Sequence, residues 1–275
     1  MAAKPITPKR DGIAFFDLDK TLRKGDLAEW FTYLHEAKLI DDAIWKSMLV
    51  EAGHLGKKGE PYLPIFATNI MKLYAKALEG KPATAIEQMA SEFVRDPKLL
   101  RMHDFAEPLI NLMNEHCITT LVTGQPIELA RAIARKFGFS DYTGTELETR
   151  NGVYTGRVLI NNSVFHQKWR SIRLLASKYR NFLKKSFAFG DSFEDRVMLS
   201  SVRVPVAVNP SHELEEYAGR RGWIVIRGKG NEIIQNVTSA LRSHYLTKTR
   251  VPRQVRKARN VRRQRNVSRG RPRLR

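Results

Sequence analysis

The sequence predicts an α/β protein: a doubly wound parallel sheet with an inserted all-helical segment and one β-hairpin. Three observations predict it. Short apolar runs at Ile13–Phe16, Ile118–Val122, Ser186–Gly190, Val204–Val208 and Trp223–Ile226 alternate with segments of helical periodicity. Residues 25–104 carry helical patterns and no strand pattern, as an insertion would. Asn151-Gly152 separates two β-prone runs, the strongest short hairpin signal. A chain of 275 residues with 42% hydrophobic content can bury the core this needs.

Each element has its own reason. Asp26 with Glu29 three residues on reads as a capping box opening a helix to about Leu39, with Trp30, Phe31 and Leu34 on one face. Helices are expected over Ala43–Glu51, Leu63–Leu78 and Pro82–Val94, with Gly53–Pro61 a loop by composition. A helix over Phe105–Glu115 leads into the second apolar run. Pro126 then suits the first turn of a helix over Ile127–Phe137. The hairpin is expected over Thr145–Val158. Helices at His166–Tyr179, Phe193–Ser200, His212–Gly219 and Asn231–Leu246 complete the pattern.

The bulk composition narrows the class. No apolar run approaches the ~20 residues of a membrane span. Met1–Gly12 is polar and lacks the apolar core of a signal peptide. The single Cys117 excludes an internal disulfide, and its apolar setting suggests a buried thiol. A cytoplasmic protein is the expectation. The net charge of +20 is uneven: residues 248–275 hold 13 Lys and Arg and no acid, which leaves +7 for the rest. This stretch has no apolar stripe and no aromatic residue, so it is expected to be disordered. Its charge would attract nucleic acid or an anionic membrane face without sequence preference.

The chemistry concentrates at strand ends. The first apolar run delivers Asp17 and Asp19, two residues apart and so on the same side of the strand, with Thr21 behind them. Like charges this close call for a cation. Thr123-Gly124 follows the second run, where a hydroxyl and a backbone N–H could bind an anion or simply cap a helix. Gly190-Asp191-Ser192-Phe193-Glu194-Asp195 follows the third, and a helical turn would bring Asp191 and Asp195 to one side. Ligands of doubly wound sheets sit beyond the carboxyl ends of the strands.

With Lys168 between Thr123-Gly124 and Asp191 as the fourth, these sites resemble in their order the motifs of the haloacid dehalogenase-like phosphohydrolases, with Asp17-x-Asp19-x-Thr21 as the first. The helical insertion makes the chain similar to the phosphoserine phosphatase-like subfamily, which also includes enzymes acting on histidinol phosphate and on phosphatidylglycerol phosphate. The resemblance implies a Rossmann-like catalytic core over residues 13–24 and 105–246, a helical cap over 25–104, an N-terminal extension over 1–12 and a tail over 247–275. It implies Mg²⁺ held by Asp17, the backbone carbonyl of Asp19 and Asp191, with Asp195 behind them. Asp17 would be the nucleophile and Asp19 the general acid and base. Thr123, Gly124 and Lys168, near a helix start, would bind phosphate. Asp26 stands where relatives carry an acid that reads substrate, though capping explains it equally well; Arg23 is a second candidate contact.

The expected substrate is a small phosphomonoester, like phosphoserine or histidinol phosphate. The alternatives are a lipid phosphate such as phosphatidylglycerol phosphate, or a polyanion-binding protein acting through the tail.

Overall fold

A computed structural model describes residues 12–59, 62–179 and 185–246. The basic stretch 248–275, expected to meet nucleic acid or membrane, lies outside them. Two compact units are distinguished, residues 1–234 and 235–275, and the whole sheet belongs to the first.

The first strand, β1 (Gly12–Phe16), is buried at every residue. It pairs in parallel with β2 (Cys117–Pro126) on one edge and β5 (Ser186–Gly190) on the other. An all-apolar run is what a strand covered on both faces requires. Gly12, placed in the N-terminal extension by sequence, is already part of the strand. A Cβ there would lie 2.4 Å from the Lys185 carbonyl oxygen, so only glycine allows this approach of β1 to its neighbour.

The remaining strands are β3 (Asp141–Arg150), β4 (Val153–Ile160), β6 (Val204–Val208) and β7 (Ile224–Ile226), in the order β4-β3-β2-β1-β5-β6-β7. Only the β3–β4 pair is antiparallel. Asn151 and Gly152 turn it with φ of 51° and 78°, the positive values a two-residue hairpin turn needs. The hairpin begins at Asp141 and ends at Ile160, beyond the Thr145–Val158 that the sequence patterning suggested. β3 also pairs in parallel with β2, so the hairpin forms one edge of the main sheet.

Of the five helices between β1 and β2, the first four are α1 (Leu27–Glu36), α2 (Asp42–Lys58), α3 (Leu63–Leu78) and α4 (Ala83–Arg95). Their shared core is aromatic. Trp30 meets Phe93 edge-on at 5.5 Å and donates to the Tyr74 hydroxyl at 3.3 Å. Trp30 is fully buried, so its truncation to alanine would cost ~3–5 kcal/mol.

The loop expected over Gly53–Pro61 is helical as far as Lys58. Asp41 caps α2 through the Ile44 N–H, and Gly59 ends it at φ 66°. Gly53 and Gly56 face open space, so their composition signals neither a break nor a close contact. They cost helix stability without terminating the helix.

The α3–α4 connection is hydrogen-bonded to the hairpin. The Gly80 N–H donates to the Tyr154 carbonyl at 2.9 Å, the Tyr154 N–H to Lys81 at 3.0 Å, and the Ala83 N–H to Gly152 at 2.8 Å.

The other helices are α5 (Ala106–His116), α6 (Ile127–Phe137), α7 (Phe165–Lys178), α8 (Arg196–Ser200), α9 (His212–Arg221) and α10 (Asn231–Leu246). Ile13 and Phe15 pack with Ile172, Leu175, Met198 and Leu214 on one face of the sheet. On the other, Phe16 stacks on Phe189 at 4.6 Å. Cys117 is buried where α5 gives way to β2. Among the described residues no helix is long and apolar enough to cross a membrane.

Candidate active site

Of three adjacent strands, β1 and β5 end one residue before Asp17 and Asp191, and β2 carries Thr123 just where its regular pairing with β3 breaks off after Val122. The chain builds outward from β1 in one direction and then crosses to the other, so this is the switch point where a crevice opens. The Asp17 N–H donates to the Phe189 carbonyl at 3.0 Å, which carries the sheet pairing up to the residue itself.

The site is a set of buried carboxylates around one cation. Lys168, from the first turn of α7, places Nζ 2.6 Å from Asp17 Oδ1 and 2.7 Å from Asp195 Oδ1. Oxygens of Asp17, Asp191 and Asp195 lie within 4.8 Å of one another. Thr21 donates its hydroxyl to Asp191 Oδ1 at 2.6 Å.

Asp195 divides its two oxygens. Oδ1 meets Lys168, while Oδ2 accepts from the Asp191 and Ser192 N–H groups at 3.2 and 3.1 Å and from the Ser192 hydroxyl at 2.9 Å. This capping box opens a 3₁₀ turn over Phe193–Asp195. One Asp195 oxygen thus closes the turn and the other pairs with Lys168.

Burial without enough countercharge holds Asp17 and Asp191 up. Asp17 is raised well above the ordinary carboxylate range, first by burial and then by the Asp195 charge. Asp191 is pushed up to about 7 by the same causes in the same order. Burial alone would depress the Lys168 ammonium, but Asp17 and Asp195 more than reverse that. One lysine cannot neutralise three carboxylates. A hard divalent cation such as Mg²⁺, which takes carboxylate oxygens, fits this donor set.

Asp19 is held separately. Gln125 Nε2 reaches both its oxygens, at 3.0 and 2.8 Å. Arg23 Nε lies 3.1 Å from Oδ1, a charge contact without the alignment of a hydrogen bond. Burial pushes Asp19 up to about 6, against the pull of Arg23 and Gln125. Its side chain is not part of the carboxylate cluster, so only its backbone carbonyl is left for the metal role the sequence suggested.

Thr123 accepts the Gln125 N–H at 3.1 Å, and the N-cap of α6 is Pro126; the helix-cap reading of Thr123 is therefore not what the structure has. A Cβ on Gly124 would sit 3.1 Å from Ser163, which explains a glycine at this turn.

The two candidate substrate contacts are otherwise engaged. Asp26 caps α1 by accepting the Ala28 N–H at 2.9 Å. Glu29 does not complete the expected capping box; it pairs with Arg23 at 2.8 Å and with Arg101. Arg23 is fully buried and also donates to the Asp26 carbonyl.

The sequence reading missed Gln125, which pairs with Asp19, and Thr21 as the partner of Asp191. An amide two residues past Thr123 gives no signal of its own. Its meaning depends on β2 lying beside β1.

The comparisons agree with the geometry. Residues 14–200 match the model of the haloacid dehalogenase-like hydrolases. The phosphoserine phosphatase SerB1 of Mycobacterium tuberculosis is 39% identical over 105 residues, 38% of this chain and 33% of that protein, so the match spans about a third of that relative's length. The histidinol-phosphatase of Neisseria meningitidis is 26% identical over 223 residues, 79% of this chain and 99% of that one. A solved structure of a Bordetella pertussis protein of unknown function superposes with a TM-score of 0.67 at 27% identity, covering 79% of this chain and 99% of that one. With the family model matched from β1 through α8, the chain belongs to the haloacid dehalogenase-like hydrolases.

Proposed function

We propose that the protein is a Mg²⁺-dependent phosphomonoester hydrolase that works through an aspartyl-phosphate on Asp17. The observation that carries this is the separation of the two aspartates after β1. Asp17 sits among carboxylates and Lys168, and Asp19 is held apart by Gln125 and Arg23. Two acids with different environments suit two different tasks.

Asp17 attacks phosphorus, the bond to the leaving oxygen breaks, and protonated Asp19 gives that oxygen its proton. Asp19 then takes a proton from water. The water oxygen attacks phosphorus, breaks the bond to Asp17 and releases inorganic phosphate. A group held up to about 6 can serve in both directions near neutral pH.

Mg²⁺ when bound would supply charge stabilisation to the phosphoryl oxygens, held by Asp17, Asp191 and the Asp19 carbonyl, with Asp195 orienting Lys168. Lys168, the Thr123 hydroxyl and the Gly124 N–H bind the same oxygens.

The helices α1–α4 act as a cap that excludes water. The substrate is a small phosphorylated metabolite of the phosphoserine or histidinol phosphate kind, as the names of the two relatives suggest.

The test is turnover of p-nitrophenyl phosphate with Mg²⁺, without it, and in Asp17→Asn. Loss in both of the latter, with label from substrate trapped on Asp17 in the wild type, is expected. Unchanged turnover in Asp17→Asn would sink the proposal.

A further inference from the structure

Ahead of the basic stretch 248–275, the positive charge is concentrated in one segment. Residues 149–190 hold nine Lys and Arg and no acid. Residues 1–247 together carry +7, which leaves −2 for the remainder of them. Helix α7 lies inside this segment and has no acid of its own.

Packing fixes which side of α7 faces out. Ile172 and Leu175 are buried in the core, and Lys168 is held by Asp17 and Asp195. Counting from His166, the positions i+3, i+4, i+7 and i+8 are Trp169, Arg170, Arg173 and Leu174, all exposed. Lys178 pairs with Asp141, whereas Arg170 and Arg173 pair with no acid among the described residues.

Trp169 is 40% exposed and Leu174 68%. The Arg173 guanidinium carbon lies 4.7 Å from the centroid of the Trp169 ring, within cation–π range. Nucleic-acid bases stack on indole rings and on guanidinium planes alike.

A bilayer surface calls for apolar side chains in one stripe with cations at its border. On α7, Arg170 and Arg173 are interleaved with Trp169 and Leu174, so inserting the apolar pair would bury unpaired charges. A single strand instead offers phosphates and unstacked bases by turns along its length. A duplex keeps its bases stacked inside and offers this face only phosphates.

We propose that the outer face of α7 binds single-stranded nucleic acid, with a base stacked at Trp169 and Arg173 and a phosphate at Arg170. This surface stands whether or not Asp17 is a nucleophile. The stretch 248–275 has no aromatic residue, so it attracts single strands and duplexes alike. The preference for single strands comes from α7.

The test is fluorescence anisotropy of the full chain with a labelled single-stranded DNA of about 12 nucleotides, and with the duplex of the same sequence. Each variant is compared at a temperature where thermal unfolding shows it folded. Trp169→Ala should weaken binding of the single strand about ten-fold, the loss of one stacked base, and leave the duplex within about two-fold. Trp169→Phe should keep most of the affinity. Arg170→Gln should reduce the slope of log K against log salt for the single strand by about 0.7, one phosphate contact. Three results would each overturn the inference. They are no binding of the single strand, an equal loss for strand and duplex in Trp169→Ala, and a loss in that variant confined to vesicles of phosphatidylglycerol.

Discussion

The side-chain amide of Gln125 reaches both carboxylate oxygens of Asp19, at 3.0 and 2.8 Å, across the gap between β2 and β1. Gln125 is fully buried, so it holds the acid in one orientation. Gln125→Ala should lower kcat about ten-fold with little change in KM, because the loss falls on proton transfer. Steady-state kinetics on an aryl phosphate checks this. A change in KM alone would mean that Gln125 contacts substrate instead.

Metal binding should depend steeply on pH. In the metal-free protein Asp191 titrates near 7, raised by burial and then by Asp195. A raised carboxyl stabilises the fold below its ordinary range and loses that contribution as pH rises through about 7. Mg²⁺ needs the ionised form. The rise in Tm on adding Mg²⁺ should therefore be small near pH 5.5 and large near pH 8, as read by thermal unfolding. A shift independent of pH would contradict this assignment.

Lys168→Met should abolish turnover and destabilise the metal-free protein by ~3–5 kcal/mol, the cost of leaving buried acids without their partner. Added Mg²⁺ should recover much of that stability but not the activity. Urea unfolding with and without Mg²⁺, beside an activity assay, separates the two roles.

Glu128 offers a test away from the chemistry. It is buried, its Oε1 accepts the Tyr154 hydroxyl at 2.8 Å, and its Oε2 has no hydrogen-bond partner among the described residues. Burial raises its carboxyl above the ordinary range. Its contribution is present below the unfolded pKa and lost as pH rises through the folded one. Glu128→Gln should thus gain on the wild type as pH rises, by about 1 kcal/mol near pH 8. Unfolding curves across pH test it, and parallel profiles would refute it.

The parts that were legible in the sequence are those where local pattern and burial coincide. β1 and β5 are buried at every residue, so apolar runs marked both strands and placed Asp17 and Asp191 at their ends. Asn151-Gly152 marked the hairpin because its turn needs positive φ. What was hidden depends on neighbours distant in the chain. Gln125 matters only because β2 lies beside β1, and Arg23 because the turn after β1 folds it inward. Gly53 and Gly56 misled because composition reports helix cost and not whether the helix survives it.

The three hydrogen bonds between the α3–α4 corner and the hairpin have a mechanical consequence. They fasten the C-terminal end of α3, while Leu63 at its other end lines a cleft beside Asp19 and Lys168. A helix of 16 residues is about 24 Å long. A pivot of about 10° at that corner moves Leu63 by roughly 4 Å and Ile70 by about half as much. Asn161 holds the lever midway, with Nδ2 3.0 Å from the Ala67 carbonyl. The buried face of the helix, with Ile70, Met71 and Tyr74, holds the same arm, so its swing is set by packing as well as by that bond.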